Sequence, residues 1–107
     1  MNIRTFAIAG LSAFLSILAT PLYAEGDAAA GKNKTAMCAG CHGIAGFHTA
    51  YPEVYRVPKL GGQNAGYIVN ALKAYKAGDR QHPTMKAIAA SLSVQDMADL
   101  AAYYSGN

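Results

Sequence analysis

Cys38-Ala39-Gly40-Cys41-His42 is a C-x-x-C-H run, and its spacing governs how the rest of the chain is read. In a helical turn, side chains three or four apart share a face. Two thiols and an imidazole can therefore meet one flat ligand, and the small Ala39 and Gly40 let it approach the backbone. A structural zinc site wants four ligands, but the chain has only two cysteines, with His48 and His82 as the remaining histidines. A thioredoxin-type dithiol expects βαβ surroundings, and no such pattern is found. A Cys38–Cys41 disulfide would close a loop too short to stabilise much. The run is instead the attachment signal for c-type haem: each thiol adds to one vinyl group, and the histidine becomes an iron ligand.

The N-terminus supports that chemistry. Arg4 is a short positive region, residues 6–19 are nearly all apolar, and Thr20-Pro21-Leu22-Tyr23-Ala24 ends on a small residue before Glu25. This is the layout of a secretory signal peptide, and we expect cleavage after Ala24. The competing reading is a retained anchor, because residues 5–24 are long enough to span a bilayer if uncleaved. The expected division is residues 1–24 as signal peptide and 25–107 as a single domain, placed in the periplasm with no membrane span after cleavage.

A domain this short buries little apolar surface and usually needs a staple. Two cysteines give no disulfide framework. A covalently held haem supplies the missing core. Nine Lys and Arg against six Asp and Glu give a net charge of +3, with no basic block of the kind that binds nucleic acid. Lys73, Lys76, Arg80 and Lys86 are dispersed, and read as a solvated helix face rather than a docking patch.

Helical patterns fill residues 25–107. Asp27 can cap Ala28-Ala29-Ala30, in a helix expected to run to about Met37, with Gly31 as a packing site. Residues 43–62 are punctuated by Gly43, Gly46, Pro52, Pro58, Gly61 and Gly62 and read as a long functional loop. Asn64 caps a second helix, whose Ile68, Leu72 and Tyr75 form one stripe and which Gly78 ends. Tyr67 and Tyr75 read as core or haem-cleft packing. A short helix is expected from Met85 to Ser91. Ser93 and Asp96 form a capping box for the last helix. Its Val94, Met97, Leu100, Ala101 and Tyr104 share a face expected to pack near Gly31. The fold class is all-α, with no strand signal.

The second iron ligand decides between carrier and catalyst. Met1 falls in the signal segment, Met37 is adjacent to Cys38, and Met97 reads as core. Met85 follows Pro83 in a polar loop, far enough from His42 to round the haem. It is the leading candidate, with His82 or an open position as the alternatives. A methionine thioether favours ferrous iron and suits electron transfer.

On these residues the chain resembles the class I c-type cytochromes. Gly26-Asp27 with Ala30-Gly31-Lys32 is similar to the family's first helix, and Pro58-Lys59-Leu60-Gly61-Gly62-Gln63 to its P-x-L-x-G segment. Pro83-Thr84-Met85 resembles its distal ligand loop, and Leu100-Ala101-Ala102-Tyr103-Tyr104 its last helix. More narrowly, the chain resembles single-haem cytochrome c-553 and one half of the dihaem two-domain bacterial cytochromes c. It departs from those half-domains in having Met85-Lys86 where two adjacent methionines are common.

The resemblance implies three to five helices around one covalent haem c. Cys38 and Cys41 would be its attachment points and His42 and Met85 its axial ligands, with the Pro58 carbonyl accepting the His42 Nδ1–H. It implies an electron carrier rather than an enzyme, working between redox protein partners such as a membrane dehydrogenase or oxidase in a respiratory chain. The alternatives are an open-site haem protein with peroxidase or gas-binding activity, in which His82 or His48 would assist, and a haem subunit of a larger complex.

Overall fold

The computed structural model describes residues 25–51 and 53–107; the signal-peptide reading of 1–24 lies outside them. Five helices follow in order: α1 (Ala28–Lys32), α2 (Ala36–His42), α3 (Ala65–Ala77), α4 (Pro83–Ala90) and α5 (Val94–Ser105). The described residues contain no strand, only an isolated antiparallel bridge between His48 and Arg56. None of their helices is long and apolar enough to cross a membrane.

The expected first helix is two. Asp27 caps α1 through the Ala29 and Ala30 amides, but the helix ends at Lys32. Asn33 and Lys34 donate instead to the Ala30 and Gly31 carbonyls, and the Thr35 hydroxyl to Lys32. These i→i−3 bonds tighten the turn and stop propagation. They also turn Lys34 inward, where Nζ lies 2.6 Å from Asp99 and 2.8 Å from Asp96. The chain then restarts as α2, so Cys38, Cys41 and His42 lie within a helix.

Asn64 and Ser93 cap α3 and α5 as their sequence patterns predict, the latter with a complete capping box, an arrangement worth about 1 kcal/mol. Gly78 closes α3 at φ 86°, in the left-handed region that glycine enters freely. The short fourth helix starts earlier than expected. Pro83 occupies its first turn, where a missing N–H costs nothing, and His82 is its cap.

Helix α5 is the hub. Leu92, Met97 and Leu100 form a buried cluster against which Cys38, Leu72 and Tyr104 pack. Each such aliphatic side chain contributes about 1.5–3 kcal/mol. The apolar stripe of α5 thus serves this cluster, whereas α1 meets α5 through backbone and small residues. A Cβ on Gly31 would lie 2.0 Å from the Asp99 carbonyl oxygen, and one on Gly26 1.9 Å from that of Ala98. Val94, expected on the inner face, is 64% exposed, because it opens the helix beyond the core.

Candidate haem site

The motif, the loop and three helices enclose a cavity of about 490 Å³, within the usual range for a small-molecule site. Cys38, Cys41 and His42 line it from α2, Pro58 from the loop, Tyr67 from α3, and His82 and Met85 from the start of α4. Leu60, Ile68, Leu72, Ile88 and Leu100 supply apolar wall. Of the residues singled out in the sequence as site candidates, all but His48 therefore reach one cavity. His48 is not part of its lining; it pairs with Arg56 in the bridge, and its Nδ1 lies 2.8 Å from the Gly46 carbonyl oxygen. Met97 is buried in the core, as its pattern predicts.

The donor set fits a c-type haem. Both thiols are free. The His42 Nδ1–H donates to the Pro58 carbonyl oxygen over 2.7 Å. That bond places the ring's proton on Nδ1 and leaves the Nε2 lone pair open for a metal. Leucine, isoleucine and valine side chains give these donors an apolar backing, as a flat apolar ligand requires, with tyrosines and polar side chains making up the rest of the wall.

Burial pushes the Cys38 thiol above its ordinary value, against a smaller opposing effect of its contact with Tyr104. Tyr104, also on the cavity wall, is pushed up to about 12, first by burial and then by Cys38.

Several cavity residues carry no sequence signal of their own. Residues 47–51 and 53–57 pair with each other: Thr49 and Val57 amides donate to the Tyr55 and Phe47 carbonyls, and the Tyr55 hydroxyl to Glu53. This pairing brings the Tyr55 ring to 4.7 Å from that of His82. Arg80 sits 4.8 Å above the Tyr75 ring and donates to the Tyr67 hydroxyl, so the half-exposed Tyr67 is anchored at the cavity wall. Of the scattered cations, Arg80 lines the cavity together with Arg56 and Lys59, whereas Lys76 turns to the Leu92 carbonyl.

A small all-α domain with a C-x-x-C-H helix on an apolar cavity is the architecture of a c-type cytochrome. The cytochrome c family profile matches residues 25–105, and the chain belongs to that family. It is 45% identical over 83 residues to cytochrome c-554(548) of Halomonas halodenitrificans, covering 75% of this chain and 95% of that one. It is 42% identical over 83 residues to cytochrome c4 of Pseudomonas aeruginosa, covering 78% of this chain but only 39% of that one. Among solved structures, cytochrome c4 of Acidithiobacillus ferrooxidans superposes with a TM-score of 0.62 at 32% identity, covering 78% of this chain and 51% of that one. The chain thus matches one relative at nearly full length and spans only about 39–51% of these cytochromes c4. Its cofactor is covalent haem c, for which Cys38 and Cys41 are spaced.

Proposed function

We propose that the chain is a periplasmic monohaem electron carrier with His42 and Met85 as axial ligands. The observation that carries this reading is the placement of Met85 and His42 on one cavity, with the His42 Nδ1–H committed to Pro58. Haem c supplies a one-electron iron couple. The residues do the rest. Cys38 and Cys41 tether the macrocycle, and His42, oriented by the Pro58 carbonyl, offers Nε2. A Met85 thioether would offer the iron its second protein ligand, and a soft sulfur donor of that kind would favour the ferrous state and raise the potential. Leu60, Ile68, Leu72 and Leu100 exclude water. Two protein ligands leave no position for a substrate, so the reading is a carrier and not an enzyme.

Residues 1–24 serve as a signal peptide cleaved after Ala24, leaving 25–107 as one domain. Its partners are redox proteins, one giving and one taking the electron. The mass of the exported protein checks the cleavage site.

The deciding experiment is the absorption spectrum of the oxidised protein beside that of Met85→Ala. A weak long-wavelength sulfur-to-iron charge-transfer band in the parent, lost in the variant, supports His42–Met85 ligation. A high-spin parent that binds carbon monoxide rapidly once reduced overturns it in favour of an open-site haem protein.

A further inference from the structure

The distal turn carries a residue that the family pattern does not assign. His82 precedes α4 in an extended conformation, and its Nδ1 accepts the Met85 backbone N–H over 3.2 Å. Its carbonyl accepts from Lys86 over 2.8 Å, closing the first helical turn. The ring is held on two sides, at 4.7 Å from Tyr55 and, edge-on, at 6.3 Å from Tyr75. Because Nδ1 accepts, the ring's proton sits on Nε2, and neither nitrogen offers a lone pair to iron.

We propose that His82 is a positioning residue for Met85: its imidazole caps the turn that presents the thioether and is itself fixed by the Tyr55 and Tyr75 rings. This rests on the His42–Met85 reading above and adds to it. Capping side chains are ordinarily Ser, Thr, Asp or Asn. A histidine does the same work with a longer, flatter group that can also be gripped by aromatic rings from the loop and from α3.

The consequence is measurable as competition. An added ligand reaches the iron only when the Met85 turn opens, so its apparent affinity scales with the open fraction. The probe is imidazole, titrated into the oxidised holoprotein. His82→Phe keeps a ring between the tyrosines but removes the acceptor. His82→Asn keeps an acceptor but removes the ring. His82→Ala tests the loss of the acceptor without added bulk.

His82→Phe and His82→Ala are expected to bind imidazole about five-fold more tightly than the parent, the effect of losing one cap, with a weakened charge-transfer band. His82→Asn is expected within about two-fold of the parent, rescued by its carbonyl oxygen. Unchanged imidazole affinity in both His82→Phe and His82→Ala overturns the proposal while leaving Met85 ligation intact. A parent without the charge-transfer band removes both readings. A parent without the band whose low-spin spectrum survives in Met85→Ala and turns high-spin in His82→Ala makes His82 itself the ligand, and also overturns it.

Discussion

His42 donates its Nδ1–H to the backbone carbonyl of Pro58, sixteen positions further along the chain, over 2.7 Å. The acceptor belongs to the main chain, so its contribution separates from the proline side chain. Pro58→Ala keeps the carbonyl and is expected to leave the reduction potential near that of the parent. Its stability cost should be about 0.4–1 kcal/mol, from the freer unfolded chain. Voltammetry and urea denaturation of the same sample check both. A large potential shift without a matching loss of stability would show that the ring, not just the fold, depends on the proline.

Gly31→Ala should be among the most damaging single substitutions far from the cavity. The Cβ would lie 2.0 Å from the Asp99 carbonyl and 2.9 Å from the Tyr103 Cβ. Backbone cannot retreat as a side-chain tip can, so α1 must shift off α5. The expected loss is about 1–3 kcal/mol or more, read as a lower urea midpoint with an unchanged haem spectrum.

Asp99 is only 3% exposed, yet it accepts from Lys34, from the Asp27 amide and from Gln95. Lys34 first, then the Asp27 N–H and Gln95, hold its carboxyl down at about 2. Asp96, bonded to Lys34 and to Ser93, is likewise lowered to about 2. A carboxyl whose folded value lies below the unfolded one binds fewer protons when folded. Its stabilisation is therefore fully present above the ordinary aspartate value of about 3.9. It is lost progressively as pH falls through about 2. Asp99→Asn should lower stability at neutral pH and flatten the acid limb of the stability profile. An unaltered acid limb in urea titrations at stepped pH would contradict this.

Leu100 is both core and cavity wall. Leu100→Ala should cost about 2–5 kcal/mol, and it should also admit solvent beside the haem site. Thermal melting and the reduction potential should move together, unlike in Gly31→Ala, where only the first moves.

The helix caps at Asp27, Asn64 and Ser93, the glycine stop at Gly78 and the C-x-x-C-H run were all legible in the sequence, because each is a local rule with a short reach. The convergence of Cys38, His42, Pro58, Tyr67 and Met85 on one cavity was also foreseen, the Pro58 contact through family likeness alone. What was not legible is long-range. The break at Asn33 goes with the pairing of Lys34 to Asp96 and Asp99 on a helix more than sixty residues away, which no local propensity encodes. Tyr55 reaches His82 only because residues 53–57 pair back onto residues 47–49 within a segment that has no periodicity. Asp99 carries no sequence signal of its own, and its burial depends on partners at the start of α1 and in the turn after it.

The Asp27–Asp99 contact ties residues 72 positions apart. Bringing such distant segments together costs loop entropy before any contact rewards it. The capped helices α3 and α4, by contrast, are neighbours in sequence and can pair early. On this ground assembly is expected to proceed outward from the ligand-bearing middle of the domain and to finish where α1 closes onto α5. Opening is expected to run the other way: the amide of Asp27 should exchange its hydrogen faster than those inside α3, and the domain loses its clasp before the walls of the haem cavity part.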